Sequence, residues 1–203
     1  MPGLGPRTLA RAAAGFALGL ALWWGATPWY DRLLAGAAEP VVRFLERPAA
    51  TRLYAEGREI VIDRSDFPSN SARPGLPADD LTFNVGLFVA LAATVRGLAR
   101  DRGPGRFLLA LALLFATHAA AVVVNVEFLY ATQLGPWSEA HYGAAARNFW
   151  GTAAHFYRVV GIHAVALLLW WGLLRGEPAP SPDSGRAGSW RGAGRASRRR
   201  GRG

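Results

Sequence analysis

The chain of 203 residues contains no cysteine and no lysine, and a single methionine. Without cysteine there is no disulfide, no thiolate nucleophile, no iron–sulfur cluster and no Cys-ligated zinc. Charge is scarce too. Charged residues make up 18% of the chain, where soluble domains carry about a quarter. Signature motifs are missing as well: no nucleotide-binding loop, no HExxH, no Gly-x-Ser-x-Gly elbow. The GPGR at 103–106 reads as a tight turn. Nothing in the pattern asks for a cofactor or a metal ion.

What the chain has instead is apolar surface, 51% of its residues, gathered into four stretches. They cover 9–27, 81–98, 107–126 and 156–174. A membrane-crossing helix needs about 20 apolar residues, within a range of about 17–25. The third stretch meets this without a single charge. The fourth is strictly apolar only from Val159 and borrows from the preceding FWGTAAHFYR. The second is the shortest, ending at Arg96, whose long side chain can reach back to the headgroups. Trp23, Trp24, Trp29 and Tyr30 follow the first stretch, and Trp170 and Trp171 end the fourth, as interfacial belts do. The pattern predicts an all-α membrane protein of four transmembrane helices. Two tryptophans occupy the place where a signal peptide wants small residues, so the first helix reads as an uncleaved anchor.

The basic residues, all 23 of them arginine, set the expected orientation. Two lie in the N-terminus at 1–8 and its edge (Arg7, Arg11), four at 96–106, and eight in the 175–203 tail. The 127–155 loop has one, Arg147. The positive-inside rule then places both termini and the 99–106 loop in the cytoplasm of a bacterial inner membrane. The segments 28–80 and 127–155 face outward. The tail is rich in Pro, Gly, Ser and Arg without periodicity, and is expected to be disordered and drawn to anionic lipid headgroups. No specific nucleic-acid recognition is expected of it.

The 28–80 segment divides into three. Residues 29–47 form an amphipathic pattern, with Leu33, Leu34, Ala37, Val41, Phe44 and Leu45 on the apolar face, suited to lying on the outer leaflet. Pro40 weakens this helix and Pro48 ends it. Thr51–Asp63 alternates about Glu56-Gly57 and predicts a β-hairpin. Residues 64–80 read as a proline-punctuated linker. So small a segment cannot hold its own core and is expected to cap the helices. Gly15 and Gly19 supply a small-xxx-small contact in the first helix.

Polar residues in or near the bilayer are the candidate site. His118 and His163 lie 11 residues from Phe107 and Leu174, about 17 Å deep at 1.5 Å per residue. Facing each other, they could hydrogen-bond, share a proton or hold a metal; apart, each would donate to a backbone carbonyl or a neighbouring helix and stabilise packing. Asn84, Asn125 and Glu127 gather at the outer boundary with His155 and Arg158, the last two on one helix face. Glu127, His155 and Arg158 are the candidate catalytic residues. Arg158 would stabilise negative charge and His155 would move a proton. The same trio also suits an ordinary helix-end cluster.

The layout resembles the exosortase/archaeosortase group and the small membrane proteins that accompany it. The residues that carry the likeness are the anchor followed by a β-containing outer segment, the polar start DDLTFNVGLFVALAA, Asn125 near the end of one helix, and His155 in AAHFYRVVGIH opening the next. It extends over residues 9–174. Those enzymes use a cysteine, an arginine and a histidine. Here cysteine is missing, Glu127 and Phe128 stand where the arginine belongs, and only His155 matches. The resemblance therefore implies a non-catalytic accessory or assembly protein of an envelope protein-sorting system. Its expected partners are lipids and a membrane protein of that system. The alternatives are a membrane-embedded enzyme using the outer Glu/His/Arg group, and a small proton-coupled transporter using the mid-membrane histidines.

Overall fold

A computed structural model describes residues 5–46, 50–67, 72–95, 98–99 and 102–174. The expected Arg-rich tail at 175–203 and residues 100 and 101 of the expected 99–106 loop lie outside the described residues.

Helix α1 runs unbroken from Pro6 to Leu45. The expected division into a 9–27 span and a separate 29–47 surface helix is thus replaced by a single rod. Pro28 and Pro40 sit inside it, and a proline in a helix interior costs about 3 kcal/mol. Packing offsets that cost. Leu34 and Val42 are wholly buried, and Ala35 and Ala38 nearly so; full burial of each large side chain contributes about 1.5–3 kcal/mol. The far end of the helix also serves as an acceptor for the sheet. Glu39 takes the Leu53 N–H at 3.0 Å and Glu46 takes the Thr51 N–H at 3.1 Å.

The hairpin is present. Strand β1 (Thr51–Glu56) pairs antiparallel with β2 (Glu59–Arg64), Leu53 opposite Ile62 and Glu56 opposite Glu59. Gly57 at the turn has φ +63°, where a side chain would be strained. A third strand, β3 (Gly75–Pro77), pairs with β2 through Ile60 and Leu76. It lies in the stretch expected to be a plain linker, because three residues give no periodicity to read. The sheet order is β1-β2-β3.

Helices α2 (Asp79–Thr82) and α3 (Asn84–Ala93) occupy the second apolar stretch. Among the described residues a fourth span is not shown here. At 1.5 Å per residue α3 rises about 15 Å, half of a bilayer core of about 30 Å. Thr94 closes it, sending both its N–H and its hydroxyl to the Leu91 carbonyl. Helix α4 (Gly103–Thr132) continues six residues past the expected end of its span, and the GPGR expected to be a turn is its first turn, with Pro104 suited to a helix start. A short α5 (Pro136–His141) leads to α6 (Ala144–Phe156). Helix α6 passes through a π-helical turn at Tyr157–Gly161 into α7 (Ile162–Leu169), ending in a second π turn at Trp170–Leu174. The 127–155 segment is therefore mostly helical, not a loop. Three helical stretches are long and apolar enough to cross a membrane: Pro6–Leu45, Gly103–Thr132 and Ala144–Leu174.

Two apolar cores result. One joins α3, α4 and α7 through Phe88, Ala92, Ala110, Leu114 and Ala166. The other joins the far half of α1 to the sheet and the end of α4 through Leu34, Val42, Ile60, Ile62, Val126 and Tyr130. The sheet thus caps the helices as expected, with its core borrowed from them.

Helix α3 packs on α1 through glycines. A Cβ on Gly15 would stand 2.5 Å from Ala93 Cβ, and one on Gly19 would stand 2.9 Å from Val89 Cβ and 3.1 Å from Gly86 Cα. Replacing Gly19 by Leu should therefore push α3 off α1 and cost about 1–3 kcal/mol, as overpacking does. Gly25→Ala, with open space around it, should stabilise by up to about 1 kcal/mol through helix propensity. Unfolding curves of the purified proteins compare the two, and equal stabilities would contradict the close approach.

Candidate functional site

His118 is wholly buried, and both of its ring nitrogens are engaged. The Tyr30 hydroxyl lies 2.6 Å from Nδ1, and Asn84 Oδ1 lies 2.7 Å from Nε2. Asn84 Nδ2 donates to the Ile162 carbonyl at 2.6 Å. That last bond orients the amide: its nitrogen can only donate, so its oxygen faces the ring. Nε2 therefore carries the proton, and Nδ1 accepts from Tyr30. One chain of hydrogen bonds links α1, α4, α3 and α7. Trp23 Nε1 adds a bond to Thr82 Oγ1 at 3.0 Å, and the Tyr157 hydroxyl adds one to the Leu81 carbonyl at 3.1 Å.

His163 is not part of this chain. It is exposed and lies edge-on to Phe83, with ring centroids 5.7 Å apart. The two histidines therefore do not face each other. Tyr30 and Asn84 take the place of the expected partner. Tyr30 was read as a belt aromatic and Asn84 as a boundary residue, and separations of 88 and 34 residues left no local signal.

Nor do the outer candidates converge. His155 and Arg158 are exposed. His155 borders a shallow apolar depression with Phe156, Val159 and Val160. Arg158 makes a long contact of 3.5 Å to Asn125 Oδ1, while Asn125 donates to the Ala121 carbonyl at 2.8 Å. Glu127 is buried elsewhere, accepting the Tyr142 hydroxyl at 2.9 Å. Among the described residues no ion pair joins Glu127 to Arg158.

Glu127 belongs instead to a second polar cluster, which sequence reasoning passed over. Arg64, at the end of β2, is 5% exposed. Its Nε and second amino nitrogen bind Asp66 at 2.8 and 2.9 Å, and its remaining nitrogen binds the buried Glu46. The rings of Tyr130 and Trp137 stand 4.9 Å from the guanidinium carbon. Glu46 also binds Thr51, whose hydroxyl meets the Tyr130 hydroxyl at 2.7 Å. Burial opposes the charge on Arg64, yet the Asp66 hydrogen bonds and the field of Glu46 hold its pKa above the ordinary arginine value. The hydrogen bond from Arg64 in turn lowers the pKa of Asp66. Burial, reinforced by the charge of Glu127, raises that of Tyr142. Beside this cluster is a cavity of about 330 Å³ that Glu127, Tyr142, Trp137, His141 and Trp150 help to line.

A third group sits where the hairpin turn meets the helices. Arg58 pairs with Asp79 and lies 4.0 Å from the Trp24 ring. Asp31, 1% exposed, has no hydrogen-bond partner on either carboxylate oxygen. Among the described residues, no set of three or more His, Cys, Asp or Glu is arranged to hold a metal. Comparisons with protein-family models, curated proteins and solved structures yield no match.

Two substitutions separate these clusters. Asn84→Leu leaves both His118 Nε2 and the Ile162 carbonyl without partners and should cost about 1–2 kcal/mol, in the range of interhelical polar contacts in membranes. Arg64→Met leaves Glu46 buried and uncompensated and should cost about 3–5 kcal/mol. Unfolding in detergent measures both. An Arg64 variant as stable as the parent would contradict the buried network.

Proposed function

We propose that the chain is a multi-pass protein of a bacterial inner membrane with both termini cytoplasmic. In this reading it is a non-catalytic accessory or assembly factor of an envelope system, of the exosortase-associated kind that its layout resembles. The observation that carries the reading is an apolar stripe on α1. Trp29, Leu33 and Phe44 are 69%, 63% and 85% exposed and share one face of the helix, roughly opposite the face that holds the sheet. A helix of 40 residues is about 60 Å long. Even at a tilt of about 40°, the upper end for membrane helices, it covers about 46 Å of depth against a hydrocarbon core of about 30 Å. From Thr27 to Phe44 the rod advances about 26 Å. Lipid tails cannot cover all of that stripe, whereas a neighbouring membrane protein with an outer domain can.

The other polar groups fit a structural role. The His118 chain and the Arg64, Glu46 and Asp66 side chains of the second cluster satisfy one another, as packing devices do. His155 and Arg158 lie apart from Glu127, so no outer Glu/His/Arg centre supports catalysis.

Complementation tests the reading. The gene is deleted from its host, and the processing and surface display of sorted envelope proteins are followed. Chains carrying His155→Ala or Arg158→Ala should restore them fully. A chain with Leu33→Glu and Phe44→Glu, inserted at normal level, should restore them at about a tenth of the parental extent or less, a loss of about 1.4 kcal/mol or more in association. Failure of the His155 variant at normal membrane level would contradict a non-catalytic role.

A further inference from the structure

Glu127 is 3% exposed, and its Oε1 has no hydrogen-bond partner. A buried carboxylate without a compensating cation is costly. The field of the neighbouring Arg64 offsets only part of that cost. The described hydrogen bonds of Arg64 go to Asp66 and Glu46, and none reaches Glu127. Around the cavity stand three carboxylates, Glu46, Asp66 and Glu127, against that single arginine. The remaining walls include Tyr142, Trp150 and His141, the last stacked on Trp137, whose ring also faces Arg64. A space of about 330 Å³ is far larger than the ~30 Å³ of one water molecule. No metal-ligand set is present among the described residues.

We propose that this cavity is a binding site for a small organic ammonium group. The cation would sit against Glu127 Oε1 and the Tyr142 and Trp150 rings, where a carboxylate and π faces act together on a positive charge. Ethanolamine is the simplest ligand of this chemistry. It exists free and as the headgroup of an abundant phospholipid, and Glu127 follows directly on the apolar run 107–126 of α4, the level at which headgroups would lie if that run spans the bilayer. The Glu46 and Asp66 carboxylates add long-range attraction for the cation, while Arg64 holds them in place. The site does not depend on the accessory reading, since a chain of any function could carry it.

The full-length chain is purified in a zwitterion-free detergent and titrated with ethanolamine hydrochloride, with ethylene glycol as the neutral isostere. In parallel, its thermal unfolding is compared in nanodiscs of phosphatidylglycerol with and without phosphatidylethanolamine. Stabilisation by both ethanolamine and the ethanolamine lipid supports the ammonium site. Stabilisation by the lipid alone identifies a headgroup site, and by ethanolamine alone a site for a soluble amine. Glu127→Gln should weaken binding about tenfold or more. Trp150→Leu, which leaves the carboxylate in place, should weaken it severalfold and serves if the Glu127 variant fails to fold. No response to either ligand, an equal response to ethylene glycol, or unchanged affinity in a folded Glu127→Gln chain would overturn the proposal.

Discussion

The architecture depends on one constraint: α1 does not stop at Pro28. A helix that ended there would leave the hairpin without a base. The sheet has no core of its own, and its buried residues Leu53, Ile60 and Ile62 pack on Leu34, Ala38 and Val42 beyond the proline. Two backbone N–H groups of β1 also bond to Glu39 and Glu46 on the same extension. The proline penalty is local and the burial is collective, so the rod persists. The end of α4 closes the arrangement from the other side, placing Val122, Val126 and Tyr130 against the same core.

The polar clusters occupy distinct levels along this rod. Near the middle, the Tyr30–His118–Asn84 chain ties three helices and the Ile162 carbonyl together. A histidine with both nitrogens engaged is fixed in tautomer and orientation, as suits a packing device. Farther out, the Arg64 cluster joins the end of α1, β2, α4 and α5. There, ion pairs and aromatic faces surround a guanidinium that water scarcely reaches. At the opposite end of β2 from Arg64, Arg58 rests on Trp24 and pairs with Asp79, tying the hairpin turn to the start of α2. Tryptophans expected to face headgroups thus also form a seat for the cap.

Much of this was legible where the signal is periodic. Phe107–Val126 announces a spanning helix, and the alternation of Leu53, Ile60 and Ile62 announces a hairpin with its apolar face inward. Gly15 and Gly19 were singled out for a close helix contact, and they make it. What escaped was long-range or lacked a pattern. Pro28 and Pro40 are local stop signals, and only the distant sheet shows why they are overridden. GLP at 75–77 is too short to read as a strand. Arg64 and Asp66 stood in a linker-like sequence, and Glu46 was one of several charges on an amphipathic pattern. Their meeting depends on strand pairing and on the return of α4. Hydrophobicity located His118 at depth, yet its partners come from positions 30 and 84, which only the folded chain brings together.

A distance across Pro28 tests the central claim most directly. The chain has no cysteine, so Leu18→Cys and Phe44→Cys, both exposed positions on α1, would carry the only spin labels. Pulsed dipolar spectroscopy in nanodiscs then reports one length. A continuous helix places the two backbones about 39 Å apart, 26 residues at 1.5 Å each. A single narrow distribution near that value is the expected result. A distribution centred near about 28 Å, as for a span followed by a helix turned roughly 90° onto the leaflet, would contradict the rod and the cap built on it.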